Sequence, residues 1–316
     1  MHACVDQAGN FVAERGKGPR ALLLLGHIDT VQGFFPPKLV DGKLYGRGSV
    51  DAKGPLAAFF LAAARLQDTT GLTITMIGAV EEEAPSSKGA RHILNRYQPD
   101  YVIVGEPSGA ASMTLGYKGR VGFRYEAQRA HAHTAAAGRS LAAEAVTFWT
   151  GVEDYCLSFN DRLETFERLD AHLARFNTTT NGLLDRVDID GSFRLPLGFE
   201  LPNLETRLHS LVGESASLTM YGYQEAYKAG KRNALVRAFL SAIRAEGMEP
   251  RFKVKTGTSD MNIVGPVWQC PIVAYGPGDS RLDHTPDEHV GVDEYLRSIQ
   301  VLGRVIEQLR LTAVAS

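Results

Sequence analysis

The segment GHIDTVQGFFPPKLVDGKLYGRGSVDAKG, residues 26–54, carries the strongest structural signal in the chain. The apolar run of residues 22–25 precedes it and has the length of a buried strand, so His27 is expected at that strand's carboxyl end. Asp29 lies close behind, where its carboxylate can accept the other imidazole N–H and fix the tautomer of the ring. Asp51 follows a glycine-punctuated turn and opens a helical run. One histidine and one aspartate supply half of a metal site, so further ligands must come from later segments.

The composition is that of a globular protein with a substantial core. The chain has 316 residues, 44% of them hydrophobic and 22% charged, which favours two domains. A net charge of -2 gives no reason to expect nucleic acid as a partner. The cysteines (Cys4, Cys156 and Cys270) are far apart and lack CxxC spacing, which indicates buried thiols in a reducing compartment. Neither a membrane span nor a signal peptide is recognisable, so the sequence predicts a cytoplasmic protein.

Strands and helices alternate at both ends of the chain. The apolar runs 22–25, 72–80 and 101–104 are separated by helical segments, which is typical of an α/β fold with a mostly parallel sheet and helices on both faces. From about residue 116 the pattern changes to a half-exposed strand over 119–128, followed by a long helix and further strands. This middle part is predicted to be an α+β insert of roughly a hundred residues.

Ionisable side chains follow the other core strands of the predicted sheet. In open α/β sheets, sites assemble beyond the carboxyl ends of the strands. The candidate ligands that meet there are His27, Asp51, Glu83, Glu106 and His284. Two imidazoles and three carboxylates suit zinc-like ions, and a carboxylate can bridge two of them. Without cations, these carboxylates would repel one another in a partly desolvated site.

Each of these residues also has an ordinary explanation when taken alone. A lone histidine after a strand, such as His27, is usually structural. The run Glu81-Glu82-Glu83 has the composition of a solvated surface segment, and Glu106 beside Pro107 is compatible with a simple turn. Their common position at one edge of one sheet favours the metal site.

The same residues form motifs that resemble those of the co-catalytic dizinc amidohydrolases. That superfamily includes acetylornithine deacetylase, succinyl-diaminopimelate desuccinylase and glutamate carboxypeptidase. The motifs are His27-Ile28-Asp29-Thr30-Val31, Gly46-Arg47-Gly48 with Asp51-Ala52-Lys53-Gly54, the Glu82-Glu83 pair, Gly105-Glu106-Pro107-Ser108 and the late His284. The resemblance covers nearly the whole chain. It implies a zinc-exopeptidase catalytic domain over residues 1–115 and 231–316, with a ferredoxin-like lid and dimerisation domain over 116–230.

The resemblance also implies how the metal ions are held. Asp51 would bridge two zinc ions in each subunit, for which cobalt can substitute. His27 and Glu106 would belong to one ion, and Glu83 and His284 to the other. Such ions make hydroxide available near neutral pH.

Three further roles follow from the resemblance. Glu82 would be the general base that takes a proton from water and delivers it to the leaving amine. Asp29 would orient His27. The tetrahedral oxyanion needs another donor, and His133, in Ala132-His133-Thr134, matches a family histidine that reaches over from the partner subunit of a homodimer. His131 is the competing candidate for that role.

One branch of the superfamily is more similar still, namely the hydrolases that release lysine or ornithine from an amino-group carrier protein. The segments that resemble this branch are 50–56, 79–87, 255–262 and 283–288. They imply hydrolysis of an amide bond between the amino acid and a small acidic carrier, in lysine or arginine biosynthesis. Two alternatives stay open: a deacylase for acetylornithine, acetyl-lysine or succinyl-diaminopimelate, and a non-catalytic binding protein on the same fold.

Two smaller expectations concern the strand over 119–128 and the chain start. Lys118, Arg120 and Arg124 fall at even positions, so they are predicted to project from one face of that strand. This strip would dock an acidic carrier, or would simply be a solvated face. The family usually has an amphipathic helix before a hairpin such as the one predicted near residues 5–12, so a segment upstream of Met1 is expected.

Overall fold

The computed structural model describes residues 2–133, 135 and 138–315. The strands are β1 (His2–Val5), β2 (Phe11–Gly16), β3 (Arg20–His27), β4 (Lys38–Val40), β5 (Lys43–Tyr45), β6 (Leu72–Ala79), β7 (Tyr101–Val104), β8 (Ser112–Tyr117), β9 (Gly119–Ala130), β10 (Asp170–Thr180), β11 (Leu184–Leu195), β12 (Ala216–Gln224), β13 (Tyr227–Lys228), β14 (Arg251–Lys255), β15 (Ile272–Ala274) and β16 (His289–Gly291). The α-helices are α1 (Lys53–Ala64), α2 (Lys88–Ile93), α3 (Leu141–Phe159), α4 (Leu201–His209), α5 (Ala234–Ala245), α6 (Met261–Trp268) and α7 (Val292–Ala315).

The chain divides into two units. Unit 1 comprises residues 1–117, 227–255 and 259–316, and unit 2 comprises residues 118–226 and 256–258. Within residues 2–133, 135 and 138–315, no helix combines the length and hydropathy needed to cross a membrane.

The main sheet of unit 1 has the strand order β1-β2-β6-β3-β7-β15-β8-β13, and β14 pairs with β8. Parallel pairs join β6 to β3, β3 to β7 and β7 to β15, so they form the centre of the sheet. Antiparallel pairs lie to both sides, at β1–β2–β6 and at β15–β8–β13. The predicted α/β fold class is confirmed, with the parallel strands where the strand–helix alternation placed them.

The leucines of β3 explain why its sequence is apolar without alternation. Leu22 and Leu24 pack into a cluster with Phe59 of α1 and with side chains from α5 and α7. Leu23 and Leu25 point to the opposite face, into a cluster with side chains from α2 and α6. A strand covered by helices on both faces needs apolar side chains at every position. This packing fixes the strand end that carries His27.

Unit 2 is a four-stranded antiparallel sheet with the order β10-β11-β9-β12. Its chain order, β9-α3-β10-β11-α4-β12, is that of a ferredoxin-like fold. Phe123 and Tyr125 of β9 are buried against Phe148 of α3, and Leu204 and Leu208 of α4 complete the same core. The predicted α+β insert is confirmed.

The prediction that Lys118 belongs to an exposed basic strip beside β9 is wrong. Lys118 precedes the strand, its side chain is fully buried, and its Nζ lies 2.5 Å from Oδ2 of Asp170. Arg124 pairs instead with Asp190, which also binds Arg175. Burying an ammonium group requires a carboxylate partner, and the sequence pattern of one strand does not show which neighbouring strand supplies it.

A small third sheet lies in unit 1, with the order β16-β5-β4 and antiparallel pairing. It joins the segment after residue 288 to the loop that leads toward Asp51, because His289 pairs with Tyr45 and Gly291 with Lys43. Sequence analysis did not predict this sheet, since its strands are only three residues long.

Candidate metal centre

The five predicted ligands lie at the carboxyl edge of the parallel strands in unit 1. His27 ends β3, Glu83 follows β6, Glu106 follows β7 and His284 follows β15. Asp51 stands in the loop just before α1, next to a cis peptide bond between Asp51 and Ala52. Since these strands are neighbours, loops that are far apart in sequence meet at one edge of the sheet.

Asp51 lies between two imidazoles. Its Oδ1 is 3.1 Å from Nε2 of His27, and its Oδ2 is 2.9 Å from Nε2 of His284. The same Nε2 of His284 is 3.2 Å from Oε1 of Glu83. Two ligands on one tetrahedral zinc ion are about 3.3 Å apart, given bonds near 2.0 Å. The spacing of these atoms therefore fits ligands that share ions, with one oxygen of Asp51 for each.

Ligand atoms of His27, Asp51 and Glu83 all lie within 4.8 Å of one another. Glu106 is buried near this group, and burial together with the Asp51 charge raises its pKa to about 8. Burial likewise raises the pKa of Asp283 to about 7. Burial and mutual repulsion disfavour the ionised forms of these carboxylates. A divalent cation bound among them would stabilise the ionised forms.

Asp29 fixes both the His27 ring and the Glu82-Glu83 segment. The Nδ1–H of His27 donates to the Asp29 backbone oxygen at 3.1 Å, and Nε2 on the other side of the ring lies 3.1 Å from Oδ1 of Asp51. The Asp29 carboxylate is further from the ring, at 3.6 Å. Its two oxygens accept the backbone N–H groups of Glu82 and Glu83 at 3.2 and 3.1 Å. The main-chain oxygen of Asp29 therefore lies closer to the ring than its carboxylate does.

Glu82 and Glu83 have different surroundings although they are adjacent. The Glu83 carboxylate contacts His284, whereas Oε2 of Glu82 is 4.0 Å from Nε2 of His27. Burial raises the pKa of Glu82 well above its usual range. A carboxylate with a raised pKa beside a metal site is suited to accept and return a proton.

The two candidate trans histidines lie in unit 2, after β9. Nδ1 of His131 is 2.9 Å from Oδ1 of Asp185. Nδ1 of His133 accepts the backbone N–H of Ala135 at 3.1 Å, which leaves Nε2–H of the neutral ring as an exposed donor. Thr134, which belongs to the motif quoted above, lies outside the described residues.

Unit 2 also contains two adjacent arginines that sequence analysis did not identify as a pair. Arg120 of β9 and Arg194 of β11 are direct cross-strand partners, and Nη1 of Arg194 donates to Oγ1 of Thr258 at 3.3 Å. Burial lowers the pKa of Arg194, and the charge of Arg120 lowers it further. No carboxylate lies within ion-pair distance of either guanidinium in the part of the chain that the structure describes. Two such cations side by side form a candidate site for an anion.

Glu288 is the other residue whose importance the sequence did not indicate. It is fully buried, and its carboxylate binds the loop that carries Asp51. The late motif Asp283-His284-Thr285-Pro286-Asp287-Glu288 contains it, but the backbone groups that it binds are more than 200 residues away in sequence.

The mixed sheet has two histidines, three carboxylates and a neighbouring proton acceptor beyond the carboxyl ends of its parallel strands. This is the arrangement of a metal-dependent hydrolase. The chain belongs to peptidase family M20/M25/M40, whose model matches residues 23–308. The enzyme class implied by the sequence motifs, a metal-dependent amide hydrolase, is confirmed.

Relatives and solved structures agree with this membership. The chain is 42% identical to the [LysW]-lysine hydrolase of Deinococcus radiodurans, over 97% of this chain and 87% of the relative. It is 29% identical to the [LysW]-lysine/[LysW]-ornithine hydrolase of Sulfurisphaera tokodaii, over 94% of this chain and 83% of the relative.

Among solved structures, an M20 family metallo-carboxypeptidase from Sulfolobus solfataricus matches with a TM-score of 0.78 and 16% identity, over 98% of this chain and 90% of that one. A dinuclear metal-binding M20 peptidase from Bacillus subtilis matches with a TM-score of 0.70 and 13% identity, over 98% and 88%. At these identities the structures establish the fold, and they confirm the architecture predicted from the sequence.

Proposed function

We propose that this protein hydrolyses the amide bond that joins lysine, or ornithine, to a carrier protein, and thereby releases the free amino acid. The observation that carries the chemistry is Asp51, with one oxygen toward His27 and the other toward His284. The substrate is supported by the 42% identity to a relative named [LysW]-lysine hydrolase. The reaction would complete lysine or arginine biosynthesis. It would take place in the cytoplasm, a reducing compartment in which cysteines stay unpaired, as they are in this chain.

The proposed metal assignment is the one that the family resemblance implies, and the contacts among His27, Asp51, Glu83 and His284 support it. His27 and Glu106 would hold one ion, Glu83 and His284 the other, and Asp51 both. Zinc suits this mixture of imidazole and carboxylate ligands, and cobalt is expected to replace it. When bound, the two ions supply Lewis acidity that polarises a carbonyl and lowers the pKa of water.

Glu82 is the proposed proton carrier. Asp29 holds its backbone N–H, which limits the directions that its side chain can take. The raised pKa lets the carboxylate keep a proton taken from water until the leaving amine accepts it. Glu82 differs from Glu83 in having no contact with His284 among the described residues, which supports a role as base rather than ligand.

The arginine pair of unit 2 is a proposed anion site within that unit. Arg194 and Arg120 offer guanidinium donors, and Thr258 adds a hydroxyl that is already within hydrogen-bond distance of Arg194. A carboxylate would relieve the repulsion between the two cations and accept several charge-assisted hydrogen bonds.

We further propose that the protein acts as a homodimer and that His133 supplies an oxyanion donor to the partner subunit's site. The exposed Nε2–H of His133 is consistent with that role. His131 is already paired with Asp185, which makes it the weaker candidate.

The experiment that tests the substrate is a side-by-side assay. Purified zinc-loaded protein would be given carrier-linked lysine, carrier-linked ornithine, acetylornithine, acetyl-lysine and succinyl-diaminopimelate, and kcat/KM measured for each. We expect the carrier-linked substrates to be preferred by at least a hundredfold, since the protein carrier adds binding energy that small substrates lack. A preference for acetylornithine or succinyl-diaminopimelate would assign the protein to the small-molecule deacylases instead.

A further inference from the structure

The Glu288 carboxylate binds the loop that presents Asp51. Its Oε1 accepts the backbone N–H groups of Gly48, Val50 and Asp51 at 2.9, 3.0 and 3.1 Å. Its Oε2 accepts an N–H of Arg47 at 2.6 Å. Four donors therefore converge on one side chain that is fully buried.

The main chain around Glu288 makes the same connection. Gly46 donates its backbone N–H to the Glu288 carbonyl oxygen at 3.1 Å, and the next residues, His289–Gly291, pair with Lys43–Tyr45. His284 stands four residues before Glu288 in the same segment. Residues 284–288 thus begin with His284, which contacts Asp51. They end with Glu288, which holds the loop that carries Asp51.

These hydrogen bonds are of the strong kind. A buried carboxylate that accepts backbone N–H groups and a guanidinium forms charge-assisted bonds, and removing the carboxylate leaves buried donors without partners. The three N–H groups belong to a short stretch in which Gly48 has a φ of 87°, a conformation that glycine tolerates. The Glu288 carboxylate and the backbone conformation of Gly48 together fix the direction in which the main chain presents the Asp51 side chain.

We propose that Glu288 is a positioning residue for the metal centre: it holds Asp51 midway between His27 and His284, so that both carboxylate oxygens bind ions at once. This inference rests on the metal centre of the proposed function. Asp29 provides a precedent within the chain, since its carboxylate accepts the backbone N–H groups of Glu82 and Glu83. Two of the ligand-bearing loops, those of Asp51 and Glu83, are thereby held by a carboxylate that binds main-chain donors. Groups that orient ligands typically change metal affinity by tenfold to a hundredfold when they are replaced.

Glu288→Gln is the direct test. An amide has a single accepting oxygen, so either the three backbone N–H groups or Arg47 would face an NH2 group. We expect the affinity for Zn2+, measured by competition with a chromophoric chelator on the metal-free protein, to fall at least tenfold. The kcat for carrier-linked lysine should fall in parallel, with little change in KM, because the Glu288 side chain is fully buried.

Asp6→Asn is the matched control. Oδ1 of Asp6 also accepts three backbone N–H groups, those of Ala8, Gly9 and Asn10 at 2.8, 3.0 and 3.0 Å, but in the turn between β1 and β2. This variant should lower the melting temperature of the metal-free protein and leave the Zn2+ affinity unchanged. Equal losses of Zn2+ affinity in the two variants would mean that Glu288 acts only through general stability, and would overturn the proposal.

A second variant keeps the test decisive if Glu288→Gln does not fold. Arg47→Gln removes the donor on Oε2 and leaves the three backbone N–H donors on Oε1, although it also removes the contacts of Arg47 with Gly33 and Phe35. It should weaken Zn2+ binding by about threefold to tenfold. Wild-type Zn2+ affinity in a folded Glu288→Gln or, failing that, in Arg47→Gln, would contradict the positioning role. Failure of the wild-type protein to bind Zn2+ would instead contradict the proposed function itself.

Discussion

At the scale of single residues, the difference between Glu82 and Glu83 is the clearest consequence of the site geometry. Glu83 contacts His284, and Glu82 lies near His27 with a raised pKa. We predict that Glu82→Gln keeps both metal ions but loses activity by roughly a hundredfold or more, because the proton carrier is gone. Glu83→Gln should lose one ion. Metal analysis and kcat of the two purified variants test this, and near-normal turnover or metal loss in Glu82→Gln would oppose the assignment.

The cysteines give a second residue-scale prediction. Burial raises the pKa of the Cys156 and Cys270 thiols to about 11, whereas Cys4 is exposed. A raised pKa leaves less thiolate at a given pH, so both thiols should react about a hundredfold more slowly than an ordinary cysteine at pH 8, and faster as the pH approaches 11. Titration of the native protein with a chromogenic disulfide should show one fast thiol. Removing that thiol by Cys4→Ser should abolish the fast phase, and its persistence would contradict the prediction.

At the scale of elements, β3 is the central strand that supports the edge of the sheet where the candidate metal ligands lie. Leu24 of β3 is fully buried against the helices that cover its face of the sheet. Leu24→Ala should therefore reduce the free energy of unfolding by about 2–5 kcal/mol. Leu183→Ala is the comparison, because Leu183 is 77% exposed and its truncation should change stability by less than about 0.5 kcal/mol. Urea unfolding monitored by circular dichroism measures both. Similar losses for the two variants would show that β3 is not the stabilising element inferred from its packing.

The elements that the sequence predicted well are those with a strong hydrophobic pattern. The long helix predicted after the strand over 119–128 is α3, Leu141–Phe159. The apolar strand 101–104 was equally clear. By contrast, β10 was missed because an exposed edge strand has no apolar alternation, and α6 was missed because Pro266 lies inside it.

The residues of the candidate site likewise divide into those that the sequence pattern predicts and those that it does not. His27, Glu83 and Glu106 were predictable because each follows an apolar strand, and parallel neighbours in a sheet bring their carboxyl ends together. Glu288 was not predictable as a positioning residue, since its partners are main-chain N–H groups that carry no sequence signal. The Lys118 error has a related cause, because only the folded sheet of unit 2 reveals the carboxylate of Asp170.

At the scale of the whole molecule, the proposed dimer makes each active site depend on two chains. His133→Ala and Glu82→Gln should each be nearly inactive alone. When the two variants are mixed and subunits exchange, each heterodimer has one intact site out of two, so partial activity should return. Native mass spectrometry verifies the exchange. Heterodimers without activity would indicate that the histidine acts within its own chain or takes no part.

The five proposed ligands come from four loops and one strand end, and in the proposed function they hold two ions for amide hydrolysis. Adding Zn2+ stepwise to metal-free protein, while following lysine release from the carrier-linked substrate, tests this most directly. We predict no release without metal and a rate that rises until two equivalents of Zn2+ per chain have been added. Lysine release by the metal-free protein, or a rate that reaches its maximum at one equivalent, would contradict the dinuclear centre.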